Sequence, residues 1–279
     1  MAEITASLVK ELREETNVGM MECKRALVET NGDKDQAIKM LRERGVAIAG
    51  KKAGRIAEEG VVAAEVFGGG SQGVMIEVNC ETDFVARNET FQAFVAELVQ
   101  KAKTVDGALA DAVQGEVVTR IAEIGENLIV RRSVRYDIED GNGTIASYIH
   151  LGGKVGVLVD VGCEKSETGD QEVFRQVVKD LTLHIAASNP QYLSRDEVPE
   201  KMISAEREIY TNQVQGKPEN IIDKIVSGKL EKFYSQICLL EQSFVKDPEQ
   251  TVSELLSATS KELDDTLTLC RYTRYQIGG

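Results

Sequence analysis

The chain has 279 residues, of which 42% are hydrophobic and 28% charged, which is enough for two or three globular domains. A net charge of −13 disfavours direct binding to nucleic acid, because the phosphate backbone would be repelled. No stretch reaches the roughly 18 apolar residues of a membrane span, and the N-terminus lacks the apolar segment of a signal peptide. Five widely spaced cysteines without a CxxC pair are typical of reduced thiols. We therefore expect a cytoplasmic protein without membrane contact.

Residues 1–50 carry helix signals only and predict a small three-helix head. Thr5 is placed to cap a first helix that ends near Thr16. A second helix covers the segment GMMECKRALVE, and Asp33 followed by Gln36 resembles a capping box at the start of a third. Three helices of this length bury a marginal core, so the head needs support from another part of the chain. The segment GKKAGRIAEEG that follows is interpreted as a linker.

From residue 60 the pattern changes to alternating strands, and the chain repeats itself. Residues 60–80 align with residues 143–163 without a gap, at an offset of 83, and the two segments share four glycines and a cysteine. Each copy predicts a β-hairpin with a glycine turn, followed by an apolar helix.

A third strand recurs at a larger offset. Residues 128–138 match residues 267–277 at an offset of 139, so the second copy holds about 56 additional residues (139 − 83). That insertion is helical and is broken by QGKPEN, which predicts two antiparallel helices projecting from the core. The predicted fold is therefore α+β with antiparallel strands. Its predicted parts are the head (1–54), a first core subdomain (55–140), a second (141–188 and 236–279) and an inserted helical arm (189–235).

Candidate sites for chemistry are scarce. The two histidines, His150 and His184, lie in different repeats, and no cysteine–histidine cluster has the spacing of a zinc site. The glycines at 68–70 favour a hairpin turn over a phosphate loop, because the GxxxxGK[ST] pattern is absent. Cys80 and Cys163 both end apolar strands, where a buried structural thiol is more common than a nucleophile. Nothing in these residues points to an enzyme, and they predict no cofactor and no metal.

Three other patterns each have two interpretations. His184 lies on a helix face, and a packed or capping role is favoured. Met20 and Met21 are typical of an adaptable binding surface, although helical spacing normally places one of them in the core. The arginines of the third strand are basic enough for phosphate, but alternation favours a solvated sheet face for Arg131, Arg132 and Arg135.

Residues 79–88, NCETDFVARN, run from a strand into a helix and place an acid and an aromatic ring, Asp83 and Phe84, at the corner. In the second repeat, Lys165–Thr168 stand where the first has Thr82–Val85, so the fold does not require an aromatic there. An exposed Phe lowers solubility, which makes Phe84 a candidate anchor for a protein partner. The alternative, in which the ring folds back onto the head or its own helix, stays open.

Together with NVGMMECKRALVETNGD and EIGENLIVRR, the segment TDFVARNETFQAFV resembles the bacterial elongation factor Ts family over nearly the whole chain. The resemblance implies a UBA-like three-helix head, a core of two repeated subdomains and a helical dimerisation arm inserted in the second. It leaves open whether the chain forms a homodimer through that arm or binds its partner one to one. The chain ends just after its last predicted strand, whereas some relatives continue into a further helix.

The same resemblance implies a guanine-nucleotide exchange factor for the translational GTPase EF-Tu. By that resemblance Phe84 is an apolar wedge between helices of the GTPase domain, and Asp83 engages polar groups beside the Mg²⁺ site. Thr82 and Val85 would position the corner. Displacing the Mg²⁺ ligands would release GDP and allow GTP to bind.

Weaker contacts are implied elsewhere. The head is expected to hold a GTPase helix through Val18, Gly19, Met20 and Met21, and the HIAA segment places His184 towards the phosphate-loop side. Two alternatives to exchange are a non-catalytic adaptor or holdase, and a thiol enzyme that uses Cys80 or Cys163. The adaptor would bind its partner without changing the release of nucleotide.

Overall fold

The computed structural model describes residues 4–16, 18–138, 141–214, 216 and 218–279. The predicted subdomain boundary at residue 140 and part of the predicted break QGKPEN lie outside these residues. The described part is a mixture of helices and antiparallel sheets, so the predicted α+β class is confirmed. Among the described residues, every helix is too short or too polar to span a bilayer.

The head consists of α1 (Ala6–Thr16), α2 (Met20–Glu29) and α3 (Lys34–Lys52). The Thr5 hydroxyl accepts a hydrogen bond from the Leu8 N–H at 3.3 Å, and the Asp33 carboxylate accepts one from the Gln36 N–H at 3.0 Å, as the cap signals predict. The predicted linker is wrong in its first residues, because α3 continues to Lys52. The small core of the head contains Val9, Leu12, Cys23, Ala26, Leu27, Ala37 and Leu41.

The first repeat is a three-stranded antiparallel sheet covered by helices, with strand order β1-β2-β3. Its elements are β1 (Glu59–Phe67), β2 (Gln72–Cys80), α4 (Asp83–Ala86), α5 (Glu89–Ala102), α6 (Leu109–Ala112), α7 (Gln114–Ile124) and β3 (Ile129–Asp137). The head rests on α7, since Gly45 of α3 faces Val118 and Ala122 without a side chain between them. Ala49 of α3 joins the core of the first repeat. The support that the small head requires therefore comes from this repeat.

The second repeat has the strand order β4-β5-β8. Its elements are β4 (Asn142–His150), β5 (Val155–Cys163), α8 (Glu172–Ser188), α9 (Glu200–Gln213), α10 (Glu219–Ile237), β6 (Ser243–Phe244), β7 (Asp247–Thr251), α11 (Val252–Glu262) and β8 (Leu267–Gln276). Both hairpins have the same length and differ by the offset of 83, since β1 begins at Glu59 and β4 at Asn142. Helices α9 and α10 pack along each other around Val226 and Leu230.

The two sheets pack face to face at a seam, which we define by the apolar residues between them: Val62, Met75, Tyr136, Ile145, Leu158 and Tyr275. Two glycines keep the sheets close. A Cβ atom added at Gly73 would lie 2.7 Å from the Ile145 side chain, and one added at Gly156 would lie 2.3 Å from the Val62 side chain. Neither distance is compatible with carbon–carbon contact, so the close approach requires glycine at both positions.

An arginine from each repeat crosses the seam. The Arg132 guanidinium lies 4.2 Å from the Tyr275 ring centroid, and its Nε donates to the buried carboxylate of Glu77 at 2.6 Å. The predicted solvated sheet face fits Arg131 and Arg135, which are exposed, whereas Arg132 is half-buried, with its cation paired to Glu77 and stacked on Tyr275 of the other sheet.

The second repeat supplies the same contact in reverse. Arg271 lies 4.2 Å from the Tyr136 ring centroid and donates from Nε to Asp160 at 2.9 Å. The offset of 139 relates Arg132 to Arg271, and the offset of 83 relates Glu77 to Asp160. The seam therefore has an approximate twofold symmetry, and it fixes each sheet against the other.

We predict that Gly156→Ala destabilises the protein by about 1–3 kcal/mol, because the added methyl group overpacks the seam against Val62 and Met75. Urea unfolding followed by circular dichroism measures the change. Gly228→Ala in α10 is the matched control, since its Cβ meets nothing within 4 Å; it should raise stability by about 0.5–1 kcal/mol. Equal effects of the two variants would show that the seam tolerates a side chain.

Candidate functional site

The candidate site is the corner of the first repeat, which we define as residues 81–88 between β2 and α5. Thr82 caps the short helix α4, since its hydroxyl accepts a hydrogen bond from the Val85 N–H at 3.3 Å. Asn88 caps α5 by accepting one from the Thr90 N–H at 2.8 Å. Ala86 is buried and Val85 is half-buried against the core of the repeat. The local sequence thus folds the corner into two consecutive capped turns.

A carboxylate from a distant segment holds the corner in place. Glu126 follows α7, and it accepts hydrogen bonds from the N–H groups of Glu81 and Thr82, both at 3.0 Å. The Thr82 hydroxyl also donates to Glu126, at 2.7 Å. In return, the Asn127 N–H donates to Glu81 at 2.6 Å, and this hydrogen bond lowers the pKa of the Glu81 carboxyl. The corner is therefore tied to the turn before β3 by charge-assisted hydrogen bonds.

Sequence reasoning missed the role of Glu126, although EIGENLIVRR was quoted for its resemblance. The signal was available in the second repeat, where Asp265 stands 139 residues after Glu126. Asp265 accepts from the N–H groups of Glu164 and Lys165, both at 3.1 Å, and so binds the second corner in the same way. A carboxylate repeated at a fixed offset next to a turn indicates a structural clamp.

Phe84 projects from this clamped corner into solvent. Its side chain is 83% exposed, the highest value among the large apolar residues described. The alternative that the ring folds back onto the head or its own helix is therefore wrong for this structure. The inner positions of the corner are filled by Thr82, Val85 and Ala86, so the ring has no place in the core. A rigid corner that presents an exposed aromatic ring is suited to inserting into another protein.

Asp83 lies beside the ring and is also accessible. Its carboxylate forms an ion pair with Arg87, one turn later, at 3.2 Å; the Arg87 side chain is largely in solvent and the Asp83 side chain is about half-exposed. Exposed pairs of this kind contribute about 0–1 kcal/mol, so the carboxylate can exchange Arg87 for another partner at little cost.

The second repeat shows what the same corner looks like without an anchor. Residues Ser166–Asp170 form a single tight turn, with Thr168 buried at the position of Val85. The residue at the position of Phe84 is Glu167, which is exposed. The inner position is thus kept for packing in both repeats, and only the outer position differs. Packing does not explain the aromatic ring in the first repeat.

The predicted head residues lie on a different element. Val18 is half-buried against the core of the head, and Gly19 precedes α2. Met20 and Met21 are 49% and 65% exposed, so the expectation that one of them belongs to the core is wrong. The core face of α2 is formed instead by Cys23, Ala26 and Leu27. The two methionines therefore give the head an exposed, flexible apolar surface.

His184 is a core residue in this structure. Its Nδ1 accepts a hydrogen bond from the Val245 N–H at 3.2 Å, so Nε2 carries the proton and donates to Gln242 Oε1 at 2.9 Å. The side chain is fully buried, and burial lowers the pKa of His184. The ring is therefore neutral and enclosed, and a direct contact with a partner would require the segment 242–245 to move.

The thiols of Cys80 and Cys163 lack the environment of an activated nucleophile. Burial raises the pKa of Cys80 to about 12 and also raises the pKa of Cys163, so neither thiol is activated as a thiolate. The described residues contain no cluster of three or more histidine, cysteine, aspartate or glutamate side chains arranged to hold a metal ion.

Comparison with known proteins decides the family. The family model described as Elongation factor TS matches residues 81–279. Elongation factor Ts of Trichlorobacter lovleyi is 44% identical, with 99% of this chain and 93% of that protein covered. Elongation factor Ts of Clostridium perfringens strain SM101 is 46% identical with the same coverage, and that of Nitratidesulfovibrio vulgaris strain DP4 is 44% identical over 99% and 96%. The chain belongs to the elongation factor Ts family. It is a translation elongation factor, and the resemblance stated from TDFVARNETFQAFV is confirmed.

We predict that Glu126→Ala loosens the corner and costs about 1–3 kcal/mol, because two N–H groups and a hydroxyl lose their acceptor. Hydrogen exchange at the amides of Glu81 and Thr82 should accelerate in this variant. Asp265→Ala removes the equivalent acceptor in the second repeat and should leave exchange at those two amides unchanged. If exchange at Thr82 does not respond to Glu126→Ala, the corner is held by other contacts.

Proposed function

We propose that this chain binds EF-Tu and accelerates the release of GDP, so that GTP can bind in its place. The observation that carries the proposal is Phe84, an 83% exposed ring on a corner that the fold clamps but does not require to be aromatic. Membership of the elongation factor Ts family supports EF-Tu as the partner. The chain acts as a non-enzymatic exchange factor, with no cofactor and no covalent step.

The proposed mechanism is a wedge. Phe84 inserts between helices of the GTPase domain beside the Mg²⁺ site, and Asp83 leaves Arg87 to engage polar groups at the same helices. Burying the ring contributes a favourable free energy of about 1.5–3 kcal/mol. This free energy can separate those helices only if the corner keeps its own conformation. The hydrogen bonds from Thr82 to Glu126 and the packing of Val85 supply that rigidity. Displaced Mg²⁺ ligands then weaken the hold on GDP.

Linkage limits what the factor can do. If the factor weakens the binding of GDP to EF-Tu by some ratio, then GDP weakens the binding of the factor to EF-Tu by the same ratio. The factor therefore favours the nucleotide-poor state and is displaced when GTP binds. It changes the rate of exchange and leaves the equilibrium between bound GDP and bound GTP unchanged.

The head provides a second contact in this proposal. Met20 and Met21, preceded by Val18 and Gly19, form an exposed apolar surface that can hold a helix of the GTPase domain. His184 is left out of the contact set because its ring is buried. For assembly, we propose a homodimer through the arm, whose helices expose Ile209 and Ile221. Membership of a translation factor family supports a cytoplasmic location, and the net charge of −13 supports a binder of protein surfaces and not of nucleic acid.

We predict that Phe84→Ala slows the stimulated release of GDP by about tenfold or more, because the lost burial of 1.5–3 kcal/mol corresponds to at least one factor of ten. Asp83→Ala should also slow it. Stopped-flow release of fluorescently labelled GDP from EF-Tu measures both rates. Glu167→Ala, at the equivalent position of the second repeat, is the matched control. It should stimulate the release of GDP from EF-Tu as strongly as the parent chain does.

The outcomes separate the candidates. Since the ring is exposed, Phe84→Ala should change the stability of the protein by less than about 0.5 kcal/mol, so that a slower release is not a folding defect. Unchanged release in both Phe84→Ala and Asp83→Ala would eliminate the wedge. Binding of the parent chain to EF-Tu without any acceleration of GDP release would favour the adaptor or holdase instead.

The head contact predicts a different response. The double variant Met20→Ala, Met21→Ala should weaken binding to EF-Tu by about tenfold, since two half-exposed side chains lose apolar burial. The release rate at saturating factor should stay close to that of the parent, because the head does not reach the Mg²⁺ site in this proposal. Titration of the release rate against factor concentration measures both quantities. A lower rate at saturation with unchanged affinity would place the methionines at the nucleotide site.

A further inference from the structure

The second repeat has a concave surface of its own, away from the corner. It is a polar cavity of about 350 Å³ between the segment that follows α8 and the strand β8. Among the described strands, β8 pairs with β5 alone, so the cavity lies at an edge of the sheet. The polar side chains that line it include those of Asn189, Gln191, Glu197, Arg271 and Arg274.

Arg274 is the unusual residue in this cavity. Its Nε and Nη2 both point to one acceptor, the carbonyl oxygen of Ala186 near the end of α8, at long distances of 3.4 and 3.3 Å. Within the described part of the chain, no carboxylate lies within 4.0 Å of this guanidinium and Nη1 has no acceptor. Partial burial without a counter-ion lowers the pKa of Arg274. A single carbonyl oxygen at a helix end accepts hydrogen bonds from part of the guanidinium and leaves several of its N–H donors without an acceptor.

The first repeat again serves as a control. Its equivalent arginine, Arg135, stands 139 residues earlier and donates from Nε to Asp137 at 2.8 Å. The position equivalent to Asp137 is Gln276, which is neutral and exposed. The two strands therefore keep the arginine and differ in the carboxylate. In the second repeat the chain supplies the cation and omits its partner.

We infer that the cavity at Arg274 is a binding site for a carboxylate group from outside the chain, which gives this arginine the kind of counter-ion that Asp137 gives Arg135. The free edge of the guanidinium can pair with both oxygens of a carboxylate. The side-chain amides of Asn189 and Gln191 line the same cavity and can donate further hydrogen bonds. Arg271 does not compete for the ligand, because its Nε is bound to Asp160.

The surrounding charge selects a carboxylate over a phosphate. Glu197 also lines the cavity, and its carboxylate accepts a hydrogen bond from the Leu193 N–H at 2.8 Å. One unpaired guanidinium in a chain of net charge −13 is matched to a single negative charge, whereas a phosphate dianion meets more repulsion. The carboxylate comes either from an acidic side chain of a bound protein or from a small free acid.

Nuclear magnetic resonance of the arginine Nε–Hε groups tests the site without any protein partner. Sodium acetate should shift the Arg274 signal in a saturable way, while sodium chloride at the same ionic strength should not. Arg135 is the internal control and should not respond, because Asp137 already occupies it. Sodium phosphate should shift the Arg274 signal less than acetate does.

The variant Gln276→Asp sharpens this test, because it gives Arg274 the carboxylate that Arg135 has and keeps the arginine in place. The acetate response of Arg274 should disappear in it. The inference fails if acetate shifts Arg274 no more than chloride does, or if the response persists in Gln276→Asp.

A second measurement identifies the source of the carboxylate, and this step alone rests on the proposed function. If an acidic side chain of EF-Tu fills the site, Gln276→Asp and Arg274→Gln should both weaken binding to EF-Tu by about tenfold. If affinity for EF-Tu is unchanged in both while the acetate response is present, the site takes a small free acid. Loss of the wedge effect at Phe84 would not alter the acetate result, so the two proposals fail independently.

Discussion

The contact between the two sheets is the constraint on which the rest of the structure depends. Gly73 and Gly156 remove the side chains that would separate the sheets, and Arg132 and Arg271 each cross to a tyrosine of the other repeat. Their carboxylate partners, Glu77 and Asp160, are largely buried, so each of these two cations is paired as well as stacked. Because each repeat presents its helices and its corner on the outer side of its own sheet, this seam fixes where the corners lie relative to each other.

The corner shows how rigidity and exposure are combined in one short segment. Glu126 draws together the N–H groups that precede α4, and Val85 and Ala86 anchor the inner side, which leaves Phe84 only the outward direction. An exposed aromatic ring contributes nothing to folding that its replacement could not supply. A flexible corner would let the ring rotate away when the helices of the partner resist its insertion. A clamped corner keeps the ring in place, so that the helices of the partner have to move instead. The clamp therefore matters to function even though Glu126 makes no contact outside the chain in this proposal.

Much of the fold follows from the sequence because the chain contains its own comparison. Two segments at one fixed offset define both hairpins, and the third strand at a larger offset reveals the insertion. The environment of individual residues outside the repeated pattern was harder to predict. Met20 and Met21 share apolar character with core residues, and only the packing of Cys23 and Leu27 decides that neither faces inward. Arg132 looks like a surface residue in an alternating strand because the second sheet that covers it lies far along the chain. The error for His184 runs the other way, since the hydrogen-bond partners that hold its ring in the core, the Gln242 side chain and the Val245 N–H, are distant in sequence.

The differences between the repeats carry more functional information than their similarities. Positions that both copies keep, such as the paired arginines of the seam and the clamping carboxylates Glu126 and Asp265, are required for the shared fold. Where the two copies differ, and packing does not explain the residue in one of them, the shared fold does not determine which residue stands there. Phe84 against Glu167 is such a position, and Gln276 against Asp137 is another. In the first case a repeat has a group that its own structure does not use, and in the second a repeat lacks a carboxylate that the other repeat uses to pair its arginine. Both leave an unmet interaction at the surface, one apolar and one charged, and an unmet interaction on a rigid element is what a binding partner can complete.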